Sequence, residues 1–262
     1  MLLAVDVGNS NTVVGLCEEG EDGAIVATWR LSTRRDRMPD EWFAVLSPLL
    51  NAADYRTADV SGIALASVVP TVTSWFSDMS RDRFNVEPLL VSADLDLGFN
   101  VAVDRPSEVG ADRLANTKAV FARYGGPAMV IDFGTATNFD AVSEAGDFLG
   151  GAIAPGLMIS LEALTGRAAR LFAVELALPE RAIGTNTITN IQSGLMLGYL
   201  SMLEGMITRF KQELDGAARV IATGGLAERF AGTTPLIDHY DPDLVIEGLR
   251  LIHRRVNAHT SP

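Results

Sequence analysis

The chain is expected to fold as an α/β protein of two related halves, each a mixed β-sheet flanked by helices, with a cleft between the domains. Two observations carry that expectation. One is a motif that occurs twice: Leu2 to Val5 runs into Asp6, Val7, Gly8, Asn9, Ser10, Asn11, Thr12 and Val13, and Met129 to Ile131 runs into Asp132, Phe133, Gly134, Thr135, Ala136, Thr137 and Asn138. The two aspartates stand 126 residues apart. The other is the order of apolar segments, strands first and then alternating helices and strands, which restarts at Met129.

In chain order, Val14 to Cys17 and Ile25 to Leu31 read as strands joined by the acidic turn Glu18 to Asp22. Asp40 is placed to cap a helix reaching about Leu50, whose stripe is Trp42, Phe43, Val45, Leu46, Leu49 and Leu50, with Pro48 a kink or an end. Ile63 to Val69 reads as a buried strand, Thr73 to Phe84 as a helix and Glu87 to Val91 as a strand. A helical connection near Glu108 to Tyr124 bridges the halves, so the expected domains are residues 1–115 with the first motif and 116–262 with the second. From Asn186 to Leu214 one long helix, or two in succession, carries an apolar stripe broad enough for a core position, a dimer contact or both. Arg219 to Ala222 reads as a strand entering Thr223, Gly224 and Gly225, and a helix follows from Leu226.

Each copy of the motif is a phosphate cradle in outline. Glycine lets the backbone turn so that amide donors and short hydroxyls face an anion. The aspartate cannot itself bind phosphate; it makes sense with a cation, Mg²⁺ partly through water, between it and the phosphate oxygens. A tight hairpin explains either copy alone, whereas the pair points to one nucleotide held at a domain junction.

Glu108, Val109, Gly110, Ala111, Asp112 and Arg113 read as a glycine turn opening an amphipathic helix. Ala111, Leu114, Ala115 and Ala119 trace its apolar side, leaving Asp112, Arg113 and Asn116 toward a cleft or solvent. Two readings fit Asp112: a first-turn carboxylate offsetting the helix dipole, or a base that takes the proton of an acceptor hydroxyl during phosphoryl transfer, with Arg113 holding an anionic group of that acceptor.

Composition narrows the classes. A net charge of −12 argues against nucleic acid, and the early interruption of every apolar run argues for a soluble, cytoplasmic protein with no membrane partner. Neither lysine, Lys118 or Lys211, follows a GxxxxGK pattern; no GxGxxG or GxSxG is present, and His239, His253 and His259 lack HExxH spacing. A single cysteine, Cys17, excludes an intrachain disulfide and suits a small buried role.

The motifs together resemble those of the type III pantothenate kinases, within the actin, sugar kinase and chaperone ATPase superfamily. The resemblance spans nearly the whole chain: DVGNSNT at Asp6 to Thr12, EVGADR at Glu108 to Arg113, DFGTAT at Asp132 to Thr137, LGGAIAPG at Leu149 to Gly156, GTNT at Gly184 to Thr187, QSG at Gln192 to Gly194 and TGG at Thr223 to Gly225. It implies two ribonuclease-H-like domains, a homodimer, and ATP-dependent phosphorylation of pantothenate to 4′-phosphopantothenate, the first step toward coenzyme A, with Mg²⁺ and a monovalent cation, potassium or ammonium. By motif it assigns ATP to Asp6, Val7, Gly8, Asn9, Ser10, Asn11, Thr12, Val13 and Thr135, the monovalent cation to Asp132, and pantothenate to Gly110, Ala111, Asp112 and Arg113. Asp112 becomes the general base, and Thr187 reaches pantothenate from the other subunit. Asn138, Phe172 and Val103 depart from common family usage, and none removes a residue assigned to chemistry. A non-catalytic regulator with this fold, or another small-molecule kinase of the superfamily, is the alternative.

Overall fold

The structure, a computed structural model, describes residues 1–258; His259 and the last residues of the expected second domain lie outside the described residues. The first part of the chain forms β1 (Leu2–Val7), β2 (Asn11–Cys17), β3 (Ile25–Ser32), α1 (Pro39–Ala52), β4 (Gly62–Ser67), α2 (Pro70–Met79), β5 (Leu89–Leu90) and α3 (Ala111–Tyr124). It continues with β6 (Ala128–Phe133), β7 (Ala136–Val142), β8 (Phe148–Pro155), α4 (Leu157–Arg167), α5 (Thr187–Gln192), α6 (Gly198–Glu213), β9 (Arg219–Thr223), α7 (Glu228–Ala231), β10 (His239–Tyr240) and α8 (Leu244–Ala258).

These elements make two five-stranded sheets of one plan. The first is ordered β3-β2-β1-β4-β5, and the second, read from its opposite edge, is β8-β7-β6-β9-β10. In both, the opening strand pairs antiparallel with the next and parallel with the fourth, so the sheets are mixed, as expected. The repetition extends to burial: β1 and β6 are buried along their length except at the fifth residue, Asp6 or Asp132, which is half-buried.

Two compact units contain these sheets. One comprises Met1–Gly125, Gly146–Phe148 and the described residues from Asp243 on; the other comprises Gly126–Ala145 and Leu149–Pro242. The division expected between residues 115 and 116 falls inside α3.

In the first unit the sheet is covered on both faces, which explains why its strands are continuous apolar runs. Leu3, Val5, Val7, Ile63 and Leu65 point to a core with Trp42, Leu46 and Leu50 of α1 and Val72 and Phe76 of α2. The alternate residues Leu2, Ala4, Ala64 and Ala66 point to a second core with Leu114 and Ala115 of α3 and Ile246, Leu249 and Ile252 of α8. That second face is made of small residues, so the helices lie close: a Cβ on Gly15 would stand 2.2 Å from Ile246 Cγ2. Helix α8 also fastens α3. Its buried Glu247 accepts two bonds from Arg250, at 3.0 and 2.9 Å, and pairs with Arg123 of α3 at 3.5 Å.

Four local expectations are refined. Helix α1 is capped at Met38, whose N–H donates to Glu41 Oε2 at 2.7 Å, while Asp40 pairs with Arg83; Pro48 lies inside the helix without ending it. Helix α2 stops at Met79 and passes into a π-helical turn, Ser80–Phe84, closed by left-handed Asn85. The wide helix is α5, a π-helical turn Ser193–Leu197, and α6, which buries Tyr199, Leu203 and Ile207 in the second unit's core. Asn116 is not turned to cleft or solvent; it is fully buried.

Where α8 crosses α3 there is room only for glycine: a Cβ on Gly248 would lie 1.9 Å from the Ala115 carbonyl oxygen. Gly248→Ala is expected to destabilise the protein by about 1–3 kcal/mol through overpacking, read from chemical denaturation. Wild-type stability in that variant would mean that α8 does not pack on α3 as described.

Candidate functional site

The first cradle is the hairpin between β1 and β2. Val7 stands opposite Thr12, and the Gly8 N–H closes the turn on the Asn11 carbonyl at 2.9 Å. Asn9, Ser10 and Asn11 project into solvent while Thr12 is buried. Its fixing comes from a residue not singled out in the sequence, Thr33, just beyond β3. The Thr33 hydroxyl donates to the Gly8 carbonyl at 2.7 Å and lies 2.9 Å from Thr12 Oγ1, and its N–H donates to the Ser10 carbonyl at 3.0 Å.

The second cradle repeats this between β6 and β7. Phe133 stands opposite Thr137, and Gly134 N–H donates to the Ala136 carbonyl at 3.0 Å. Thr137, the counterpart of Thr12, is buried and hydrogen-bonded to the Tyr199 hydroxyl of α6, so Tyr199 braces this copy as Thr33 braces the other. Two glycines from distant motifs close on the loop. Gly156 N–H donates to the Thr135 carbonyl at 3.1 Å, and a Cβ there would meet that oxygen at 2.3 Å. Gly224, at φ +92°, has no room for a Cβ, which would lie 2.5 Å from Asp132 Oδ1 and 2.7 Å from Phe133 N. The TGG sequence therefore serves the second cradle by letting backbone approach its carboxylate.

Gly110 is the N-cap of α3, and Asp112 folds back over that turn: its Oδ1 accepts the Arg113 N–H at 2.9 Å and would stand 2.4 Å from a Cβ on Gly110. Ala111 anchors the turn by its burial, and the Arg113 guanidinium carbon lies 5.1 Å from the centroid of the Phe148 ring. One residue joins this turn to the first cradle. The Val68 N–H donates to the Val7 carbonyl at 3.1 Å, and its Cγ1 stands 3.9 Å from the place a Gly110 Cβ would take. Within the first unit, therefore, the structure brings the sequence-assigned residues 6–13 and 110–113 to adjoining turns.

Burial pushes the Asp112 carboxyl above the ordinary carboxylate range, against the opposing pull of the Arg113 amide and charge. A carboxylate that is desolvated yet held by backbone amides suits a proton acceptor better than a solvated helix-start residue does. Thr187 belongs to the second unit, as the first residue of α5. It is exposed, and it lines a cavity of about 500 Å³ with Leu164, Leu171, Asn190, Ile191, Gly194 and Leu195. Cys17 is buried, and desolvation pushes its thiol up to about 12, which leaves it inert at neutral pH.

Asp6 and Asp132 supply one carboxylate each, and among the described residues no three His, Cys, Asp or Glu side chains gather into a metal cage. A single carboxylate of this kind fits Mg²⁺ held otherwise by substrate phosphates and water, and at Asp132 it is an oxygen donor suited to a hard monovalent cation.

The raised pKa of Asp112 makes a stability prediction. Its folded-state pKa exceeds its unfolded value of about 3.9, so the charged form weakens the fold above the folded pKa and the penalty vanishes below the unfolded one. Asp112→Asn is expected to raise Tm at pH 8, the gain shrinking as pH falls toward about 4. A gain that grows toward acid would reverse the assignment of a raised pKa.

A family model described as type III pantothenate kinase matches residues 2–209. The chain is 47% identical over 257 residues to the type III pantothenate kinase of Thermomicrobium roseum, covering 98% of each. It is 45% identical over 253 residues to that of Roseiflexus sp. (strain RS-1), covering 97% of this chain and 98% of the relative. Among solved structures, a Baf family protein from Campylobacter jejuni matches with a TM-score of 0.61 at 18% identity, covering 98% of this chain and 99% of that one, a likeness of fold.

Proposed function

The chain belongs to the type III pantothenate kinase family, and from that premise we propose that it transfers the γ-phosphoryl group of ATP to the hydroxyl of pantothenate, giving 4′-phosphopantothenate and ADP at the entry to coenzyme A biosynthesis. The observation that carries the reading is the turn at Gly110: a desolvated carboxylate, Asp112, next to a guanidinium, Arg113, on a turn joined through Val68 to a phosphate cradle.

Residues 6–13 and Thr135 hold ATP through backbone N–H groups and short hydroxyls. Phosphoryl transfer has a loose transition state with charge spread over the phosphoryl oxygens, so such oriented dipoles lower its barrier. Mg²⁺, when bound, supplies neutralisation of the phosphate charge, with Asp6 as a carboxylate suited to it, and Asp132 holds the monovalent cation. Gly110 and Ala111 shape the acceptor turn, and Arg113 pairs with the pantothenate carboxylate. Asp112 accepts the hydroxyl proton as that oxygen bonds to phosphorus and the bond to the ADP oxygen breaks.

The working form is a homodimer in the cytoplasm, with Thr187 contributing to the partner subunit's pantothenate site. Nine of the fifteen large apolar side chains exposed among the described residues lie between Leu149 and Ile188, with Ile153 67% and Ile183 85% exposed. Apolar surface concentrated in this way suits burial against a second copy. No helix among the described residues is long and apolar enough to cross a membrane.

The test is ADP release with ATP, Mg²⁺ and potassium, with and without pantothenate, the phosphorylated product being identified by mass. Asp112→Asn is expected to lower turnover by about 10²- to 10⁴-fold. Because the base acts ionised and its pKa is raised, wild-type turnover is expected to fall on the acid side at a pH above the usual carboxylate range. Unchanged turnover in a folded Asp112→Asn protein removes the base assignment, and no pantothenate-dependent turnover in wild type turns the reading toward a non-catalytic regulator.

Ile153→Asp combined with Ile183→Asp is expected to give a monomer by light scattering, with pantothenate turnover lost. A double variant that stays dimeric places the interface elsewhere.

A further inference from the structure

The segment after β3 carries Arg34, Arg35 and Arg37 in a chain of net charge −12, and it is pinned at both ends. At one end Thr33 makes its three contacts with the first cradle. At the other the Arg37 guanidinium carbon lies 4.6 Å from the ring centroid of Trp42, which is buried in the core of α1 and α2. Between these anchors Arg35 is exposed, and its Nη2 donates to Asn9 Oδ1 at 3.1 Å, inside the cradle itself.

Three features suit Arg35 to a ligand contact. It makes no ion pair among the described residues, whereas Arg81, Arg83, Arg250 and Arg255 are each paired with a carboxylate. A guanidinium carries five N–H donors, and the bond to Asn9 uses one. The side-chain hydrogen bond also fixes its position at the turn whose amides and hydroxyls face the anion. Neither cradle contains a lysine or arginine of its own, so the first obtains positive charge from this loop.

We propose that Arg35 is a phosphate-contacting residue of the first cradle, a guanidinium that pairs with the phosphate oxygens of a bound nucleoside polyphosphate. Its rigid fork of donors matches phosphate geometry, and a charged hydrogen bond there outweighs the neutral one to Asn9. The assignment rests on the reading of residues 6–13 as the ATP site.

The experiment is calorimetric titration of ATP with Mg²⁺ into wild type, Arg35→Ala, Arg35→Gln and Arg35→Lys, with far-UV circular dichroism on each. Arg35→Ala is expected to bind ATP about 10- to 100-fold more weakly. Arg35→Gln, which keeps a donor for Asn9 but no charge, is expected to be as weak, and Arg35→Lys to fall between. Affinity within twofold of wild type in Arg35→Ala, or recovery of wild-type affinity in Arg35→Gln, overturns the proposal; the second result would leave Arg35 only as a brace for Asn9. Wild type that binds no ATP overturns it together with the ATP assignment. Pantothenate turnover, measured separately on wild type, keeps the two readings apart: a nucleotide affinity that depends on Arg35 in a protein without pantothenate turnover supports the Arg35 contact and removes only the acceptor.

Discussion

Each unit depends on one constraint: a strand buried along its length must end on a carboxylate that stays within reach of water. Asp6 and Asp132 meet it in the same way, as the penultimate residue of the strand at the middle of a mixed sheet, half-buried where the preceding four residues are fully buried. A charge placed one residue earlier would sit in the apolar core at a cost of several kcal/mol. One residue beyond the strand it would leave the sheet and belong to the turn. The hairpin glycine, the buried threonine opposite the strand end and the close parallel neighbour all serve that one position, which is why the two sheets share both strand order and burial.

The braces show how two similar turns are built from dissimilar parts. Thr12 is held by Thr33 from the end of β3, and Thr137 by Tyr199 from a helix more than sixty residues later in the chain. Burial pushes the Tyr199 phenol up, so it remains a neutral hydrogen-bonding partner at physiological pH. The duplicated part is thus the turn itself. Its support is free to differ, provided that a hydroxyl reaches the buried threonine.

What could be read from residues alone follows from this. The cradles, the order of strands and helices and the apolar stripes of α1 and α3 were legible because they are local patterns of period two or 3.6. The cap of α1, the short extent of β5, the π-helical turns and the burial of Asn116 were not, because tertiary packing decides them. Asn116 lies on the polar side of an amphipathic pattern, and only the packing of the folded chain makes that position interior. Among site residues, the aspartates and glycines carried a sequence signal, whereas Thr33 and Tyr199 carried none, since a lone hydroxyl at arbitrary spacing looks like any other. Gly156 and Gly224 were visible as motif members, but their function as points of close approach to Thr135 and Asp132 appears only in three dimensions.

The position of α8 also bears on Asp112. Helix α3 lies beside α8 on one face of the sheet, with Gly248 against the Ala115 carbonyl and Glu247 bridging Arg250 and Arg123, so α3 cannot shift without disturbing a packed core. That rigidity matters because the Asp112 carboxyl is desolvated, and backbone amides only partly offset that penalty. In a flexible turn such a carboxylate would swing toward water and return to an ordinary pKa. A general base must be available as an acceptor and yet basic enough to take a proton, and both conditions call for a carboxylate kept short of solvent by a helix that cannot move. The last described helix, far from either cradle in sequence, is therefore part of what holds the start of α3 in place.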